Sequence, residues 1–248
     1  MNIKELMDYT GQILEVERFR DYCPNGLQVA GTETVNTLVT GVTASMALLE
    51  AAQSAGADII MVHHGYFWRN EDPRIIGIKQ KRIQFLLQHQ INLAAYHLPL
   101  DVHPEFGNNM QLGGRLGLKI EGFVGEQSLV AHGQLPQSET LDVFQARLAS
   151  TLNRHPVVIG DLSKKVQRVA WCTGAAQQYL EKAIELNADV FISGEISEQT
   201  VHLARESGVA YIAAGHHATE RYGIQALGQH LSERFGLKHQ FIDVDNPV

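Results

Sequence analysis

Apolar runs of strand length alternate with stretches of helical period twice along this chain, and that order leaves few folds open. In the first pass Thr37 to Val42 reads as a strand, Ser45–Ser54 as a helix, Asp58–Val62 as a strand, 77–89 as a helix and 91–97 as a strand. In the second, Val166–Cys172, Asp189–Ile192 and 208–215 read as strands, with helices over Gln177–Glu185 and Ser197–Glu206 between them. A shift of 131 residues lays Leu49-Glu50 on Leu180-Glu181, Ala52 on Ala183 and Ala57-Asp58 on Ala188-Asp189, so that ADIIMVHHG falls over ADVFISGEI. The chain therefore reads as α/β, with two internally repeated βαβαβ lobes built on mostly parallel sheets.

The first lobe, 1–121, opens with an amphipathic helix over 3–15 and the turn-rich DYCPNGLQV at 21–29. Residues 122–165 differ in character: QSLVAHGQLP reads as a strand, SETLDVFQARLASTL as an amphipathic helix and PVVIGD as a short strand. This stretch is expected to form a small α+β element bridging the lobes. The second lobe, 166–248, closes with QFIDVDNPV as a last strand and tail. Asn108-Asn109 are expected to cap the helix that follows them, and Gly215 to permit a tight strand-to-helix turn.

A length of 248 residues, 44% hydrophobic and 19% charged, is ample for a buried core. The net charge of −7 and the lack of any Lys/Arg run argue against general nucleic-acid binding, while leaving room for a local pocket for a nucleotide phosphate. Cys23 and Cys172 stand far apart with no CxxC, which disfavours a disulfide framework and a thiolate zinc site. The charged opening MNIKELMDYTGQILEVERFRDY does not read as a signal peptide, and no apolar stretch approaches the ~18 to 20 residues of a membrane helix. A soluble, cytoplasmic protein is expected.

Histidine is the abnormal residue: there are 12, with clusters at His63-His64, His97, His103 and His216-His217. Ligands of open α/β sheets bind outside the carboxyl ends of the strands. DIIMV runs into His63-His64, INLAAYH ends at His97 and reaches Asp101 across LPL, and VAYIAAG runs into His216-His217 with Glu220 beyond. If His216 opens a helix, His216 and Glu220 share one face at i,i+4. A mixture of imidazole and carboxylate without thiolate suits zinc, manganese, iron or nickel. Five or six such ligands exceed what one zinc takes, so two divalent ions per subunit are expected. If the lobes are repeats, both sheets must present their carboxyl edges to a shared cleft for these ligands to meet.

His97 and Glu195 lie at matching strand ends and read as proton-transfer groups or as supports for metal ligands. Tyr66, Phe67 and Trp68 could wall a purine site, although packing is the reading their neighbourhood favours. No P-loop or dinucleotide fingerprint is present.

The strings PNGLQV, DIIMVHHG, AYHLPLD, ISGE and AGHHATE, in this order over nearly the whole chain, resemble the Nif-three-like family, the NGG-interacting-factor-three-like proteins often named GTP cyclohydrolase 1 type 2 homologues. The resemblance implies a dinuclear metal centre with ligands at His63, His64, Asp101, His216 and Glu220. It also implies ring-shaped homohexamers with the metal sites facing an inner cavity, in the short bacterial form without an inserted domain. The function expected is metal-dependent hydrolysis of a nucleotide or related small molecule, with GTP cyclohydrolase chemistry as the family's version. In that version His97 is the first choice of proton donor and Glu195 the second. The alternative is a non-catalytic metal-binding, metal-delivery or regulatory interaction protein.

Overall fold

Strand interiors such as Ile59–Val62, fully buried at every position, can exist only where a sheet is covered on both faces. The computed structural model describes all 248 residues. In chain order its elements are α1 (Ile3–Ile13), β1 (Gly26–Val29), β2 (Thr37–Thr43), α2 (Met46–Ser54), β3 (Ile59–His64), α3 (Gly77–His89), β4 (Asn92–Ala95) and α4 (Leu98–Val102). There follow α5 (Asn108–Arg115), β5 (Lys119–Val124), β6 (Val130–Thr140), α6 (Leu141–Leu152), β7 (Val157–Ile159) and β8 (Lys165–Trp171). The last elements are α7 (Leu180–Glu185), β9 (Val190–Ser193), α8 (Glu198–Ser207), β10 (Ala210–Ala213), α9 (His216–Phe235) and β11 (Lys238–Phe241). Helix starts follow local chemistry: Ser45 Oγ accepts from Leu48 N at 3.3 Å and Thr140 Oγ1 from Val143 N at 3.4 Å.

The chain divides into two compact units, Met1–Phe106 with Gly223–Asp245, and Gly107–Tyr222 with Asn246–Val248. The first unit holds a five-stranded sheet in the order β1-β4-β3-β2-β11, parallel except where β1 runs antiparallel to β4. Residue parity splits its core in two. Val39, Ile60, Val62, Leu93 and Ala95 pack against α2 and α3 through Leu48, Leu49, Ile83 and Leu86. Their neighbours Leu38, Ile59, Met61 and Ala94 face the other way, onto Leu6 and Leu14 of the N-terminal segment and Ile224, Leu227 and Leu231 of α9.

The second unit is a mixed six-stranded sheet, β5-β6-β8-β9-β10-β7, parallel across β8, β9 and β10 and antiparallel elsewhere. Val169, Trp171, Val190, Ile192 and Ile212 pack on Phe144, Leu148 and Leu152 of α6.

Residues 122–165 are thus no separate bridge. The strand β6 pairs with β8 from Ala131↔Trp171 onward, and β7 pairs with β10, so this stretch completes the second sheet. The C-terminal segment in turn belongs to the first unit, because β11 extends β2 in parallel, Lys238 opposite Thr37. GLQV is a strand rather than part of a turn, LPLDV a short helix rather than a turn, and Lys119–Val124 a strand that its sequence does not announce. Asn108-Asn109 do not cap α5; Gly107 holds that position. Asn109 instead donates to Leu129 O at 3.0 Å and accepts from Thr173 N at 3.1 Å.

The two parallel sets share their internal geometry. Asp58 Oδ2 accepts from Asn36 N at 2.7 Å and Thr37 N at 2.9 Å; Asp189 Oδ2 accepts from Gln167 N at 2.9 Å and Arg168 N at 2.8 Å. The 131-residue shift maps each of these residues onto its counterpart, and carries the register pair Leu38↔Ile59 onto Val169↔Val190. It also brings Gly56 onto Asn187, both at positive φ. Each aspartate therefore pins the starts of two adjacent parallel strands. Asp58→Ala and Asp189→Ala each leave two backbone donors to solvent and should cost about 1 kcal/mol of stability, read as a lower urea midpoint at unchanged slope.

Candidate functional site

In the first unit the C-terminal ends of β3 and β4 gather three imidazoles. His63 and His64 are the last residues of β3 itself, and their ring centroids lie 4.6 Å apart. His63 Nδ1 sits 2.9 Å from Tyr96 O, and a carbonyl only accepts, so Nδ1 carries a proton and Nε2 is the nitrogen left facing the pocket. That Nε2 faces Asp101 Oδ1 at 3.5 Å, with the side chains 0% and 9% exposed. An imidazole nitrogen and a buried carboxylate oxygen set face to face can be bridged by a proton or by a metal cation. Asp101 arrives there because LPLDV folds as one helical turn, Asp101 N donating to His97 O at 3.2 Å.

His97 stands beside this pair, its ring centroid 5.1 Å from His63 and 5.7 Å from His64. One nitrogen from each of the three rings can be chosen so that all lie within 4.8 Å of one another. The His97 ring is held from behind: Nδ1 is 2.7 Å from Asp21 Oδ1, while Asp21 Oδ2 accepts from Leu98 N at 2.9 Å and Asn25 Nδ2 at 2.8 Å. Asn25 Oδ1 also takes the His97 N–H at 2.7 Å. Burial alone would raise the Asp21 carboxyl, but the bonds to His97, Asn25 and Tyr22 N outweigh it and hold its pKa below the usual value. Cys23 lies within reach of Asp21 and His97. Burial, then the Asp21 charge, pushes its thiol up to about 12, so without a metal it is a neutral thiol at neutral pH.

In the second unit His216 begins α9 and Glu220 follows one turn later, Nε2 to Oε2 3.1 Å. The expected shared helix face is present. Glu195, just past the end of β9, takes the other side of the ring, Oε1 to Nδ1 2.7 Å. An imidazole backed on Nδ1 by a carboxylate is the arrangement that holds a histidine for a metal on Nε2. Burial by itself would lower the His216 pKa; the Glu220 and Glu195 carboxylates outweigh it and raise it to about 9. Room for Glu220 comes from Gly174, at φ +70, where a Cβ would fall 2.1 Å from Glu220 Oε1.

Other expected residues are structural. Tyr66 is buried with its hydroxyl on Ala44 O at 2.9 Å, and His103 Nδ1 accepts from Glu105 N and Phe106 N while its ring stacks on Phe106. His217 gives its backbone N–H to Val248 O. Gly215, at φ +102, makes the turn expected of it and is covered by Arg154. Asp21, Asn25 and Gly174 are missed by sequence reasoning; the only signal is the Asx-rich turn DYCPN, which does not reveal a partner at His97.

The family model Duf34/NIF3 (NGG1p interacting factor 3) matches residues 1–247. A Pseudomonas aeruginosa protein named "GTP cyclohydrolase 1 type 2 homolog" is 49% identical over 99% of this chain and 98% of its own length. An Escherichia coli protein of the same name is 49% identical over the whole of both chains. Among solved structures, "Structural genomics, protein ybgI, unknown function" superposes with a TM-score of 0.97 at 48% identity over the whole of both chains. The crystal structure of TTHA1606 from Thermus thermophilus does so at 0.90 and 36%, again over both whole chains.

In the metal-free protein His216 should titrate near 9 by NMR, and Glu195→Gln should bring it down. A folded pKa raised above the ordinary 6.5 gives stabilisation that is complete below that value and lost as pH rises through about 9. Glu195→Gln should flatten this part of the pH–stability curve.

Proposed function

Because the chain belongs to the Duf34/NIF3 family, we propose that it is a dinuclear-metal-dependent hydrolase acting on a nucleotide or related small molecule. His63, His64 and Asp101 from the first unit, with His216 and Glu220 from the second, are the proposed ligands. The observation that carries this reading is His63 Nε2 facing the buried Asp101 carboxylate, supported by the imidazole of His216 between two carboxylates. Nitrogen and oxygen donors without thiolate suit zinc, manganese, iron or nickel. When bound, such ions supply Lewis acidity and an activated water at neutral pH.

The side chains divide the remaining work. His97, locked by Asp21 with its proton on Nδ1, keeps Nε2 to carry a proton to or from a reacting atom. Glu195 acts through His216, whose ring it orients, rather than as the second choice of proton donor. In the ring-opening version suggested by the relatives' name, water adds at carbon eight of the guanine of GTP. The bond from that carbon to a ring nitrogen breaks, and His97 delivers the proton that nitrogen takes up. The matched aspartate clamps and strand registers further support reading the two parallel sets as a duplicated βαβαβ unit. We also propose the homohexamer on the strength of the family.

Two ions per chain are expected by elemental analysis after reconstitution, and Asp101→Ala should lose at least one of them. Metal-loaded protein should open or hydrolyse a member of a nucleotide panel, with turnover abolished by chelator. Two ions bound with no turnover on any nucleotide would favour the metal-binding or regulatory reading instead.

A further inference from the structure

The loop after β3 is built to a tight specification. Gly65 admits no Cβ, which would fall 2.2 Å from Gln28 Oε1 and 2.6 Å from Ala95 Cβ. Gln28 grips the next residue from both sides, accepting from Tyr66 N at 2.7 Å and donating to Tyr66 O at 3.1 Å. Phe67 then takes φ +65, a left-handed conformation that a bulky residue adopts only when its surroundings hold it there. The result parts three consecutive aromatics. Tyr66 enters the core and Phe67 packs against it, whereas Trp68 joins no core cluster.

Trp68 stays partly exposed, edge-on to His97 at 5.0 Å and tilted over His64 at 5.9 Å, with its Nε1 spent on Gly65 O. Tyr22, 54% exposed, also stands beside His97, ring centroids 6.4 Å apart. Arg69 ties the two loops together: its N–H goes to Tyr22 O at 2.6 Å, Nη2 to Asp21 O at 2.7 Å, and its guanidinium lies 5.8 Å from the Tyr22 ring. The neighbouring cations are already paired, Arg74 with Asp72 and Lys79 with Glu71, while Arg69 pairs with no carboxylate. An indole and a phenol both beside one imidazole, with a guanidinium left without a counter-charge, form a rim with one chemical preference.

We propose that Trp68, Tyr22 and Arg69 form a binding site for a planar heteroaromatic ring bearing an anionic group, the ring stacking on Trp68 and the anion meeting Arg69. The assignment deepens the nucleotide reading above and rests on it for the ligand class, but the binding it describes needs no turnover. Stacking on an aromatic face tolerates any base, and a planar guanidinium suits phosphate.

Calorimetry on the protein as purified tests this with guanosine 5′-monophosphate, guanosine and ribose 5-phosphate as probes. Trp68→Ala should weaken the monophosphate and guanosine alike by roughly tenfold, Trp68→Phe by much less, with ribose 5-phosphate unchanged. Arg69→Ala should lower the monophosphate towards guanosine and leave guanosine as it was. Wild-type affinity for all three probes in both alanine variants would overturn the site, as would no binding of the monophosphate at millimolar concentration. Binding lost as expected without hydrolysis of any nucleotide would retain the site and sink the hydrolase reading; hydrolysis with unaltered binding in the variants would do the reverse.

Discussion

A histidine that commits its Nδ1 proton to a fixed acceptor has one nitrogen left for chemistry, and the candidate site is built from that constraint. His63 is anchored on Tyr96 O, His97 on Asp21 and His216 on Glu195, while His64 Nδ1 lies 3.3 Å from Thr43 Oγ1. Each anchor comes from a backbone or side chain at a strand end or in an adjoining turn, so the ring direction is decided by the sheet. Rotating any of these imidazoles would break a bond to a carbonyl, carboxylate or hydroxyl. The carboxylates Asp101 and Glu220 then meet Nε2 of His63 and His216 within their own units. Pre-aimed donors of this kind lower the reorganisation needed when a cation arrives.

Parallel strands make this economical. In β2, β3 and β4, and again in β8, β9 and β10, all carboxyl ends leave the sheet on one edge. The opposite ends carry Asp58 and Asp189, which pin strand starts. The strand-pinning aspartates and the candidate site residues thus occupy opposite edges of each sheet, and loops such as 21–25 and 65–70 can vary while the interior stays apolar.

What the sequence reveals follows the same division. Runs such as Ile59–Val62 and Val190–Ile192 are legible as interior strands because burial on both faces forbids polar residues. The candidate ligands draw notice by position: His63 and His64 end β3, His216 follows β10, and Asp101 and Glu220 lie in the helices beyond β4 and β10. The antiparallel part of the second sheet is harder to read. β5 is a half-exposed edge strand whose register with β6 shifts between Ile120 and Gly122, leaving Glu121 as the extra residue, and its residues carry no clean alternation. The Asp21–His97 pair spans 76 residues and the Gln28–Tyr66 clamp 38, so neither leaves a local pattern. Turn residues in DYCPN announce a bend and conceal what the bend holds. Trp68 shows the limit well: Tyr66 and Phe67 pack as their neighbourhood suggests, and only the positive φ at Phe67 sends the third ring elsewhere.

The central claim, that the anchored histidines present Nε2 to divalent ions, is tested most directly by a crystal structure of the zinc-loaded protein with anomalous scattering at the metal edge. Zinc is expected about 2.0 to 2.1 Å from Nε2 of His63 and of His216. The Nδ1 bonds to Tyr96 O and to Glu195 should remain intact. Zinc bound through Nδ1 of either ring, or sited away from both histidines, would contradict it.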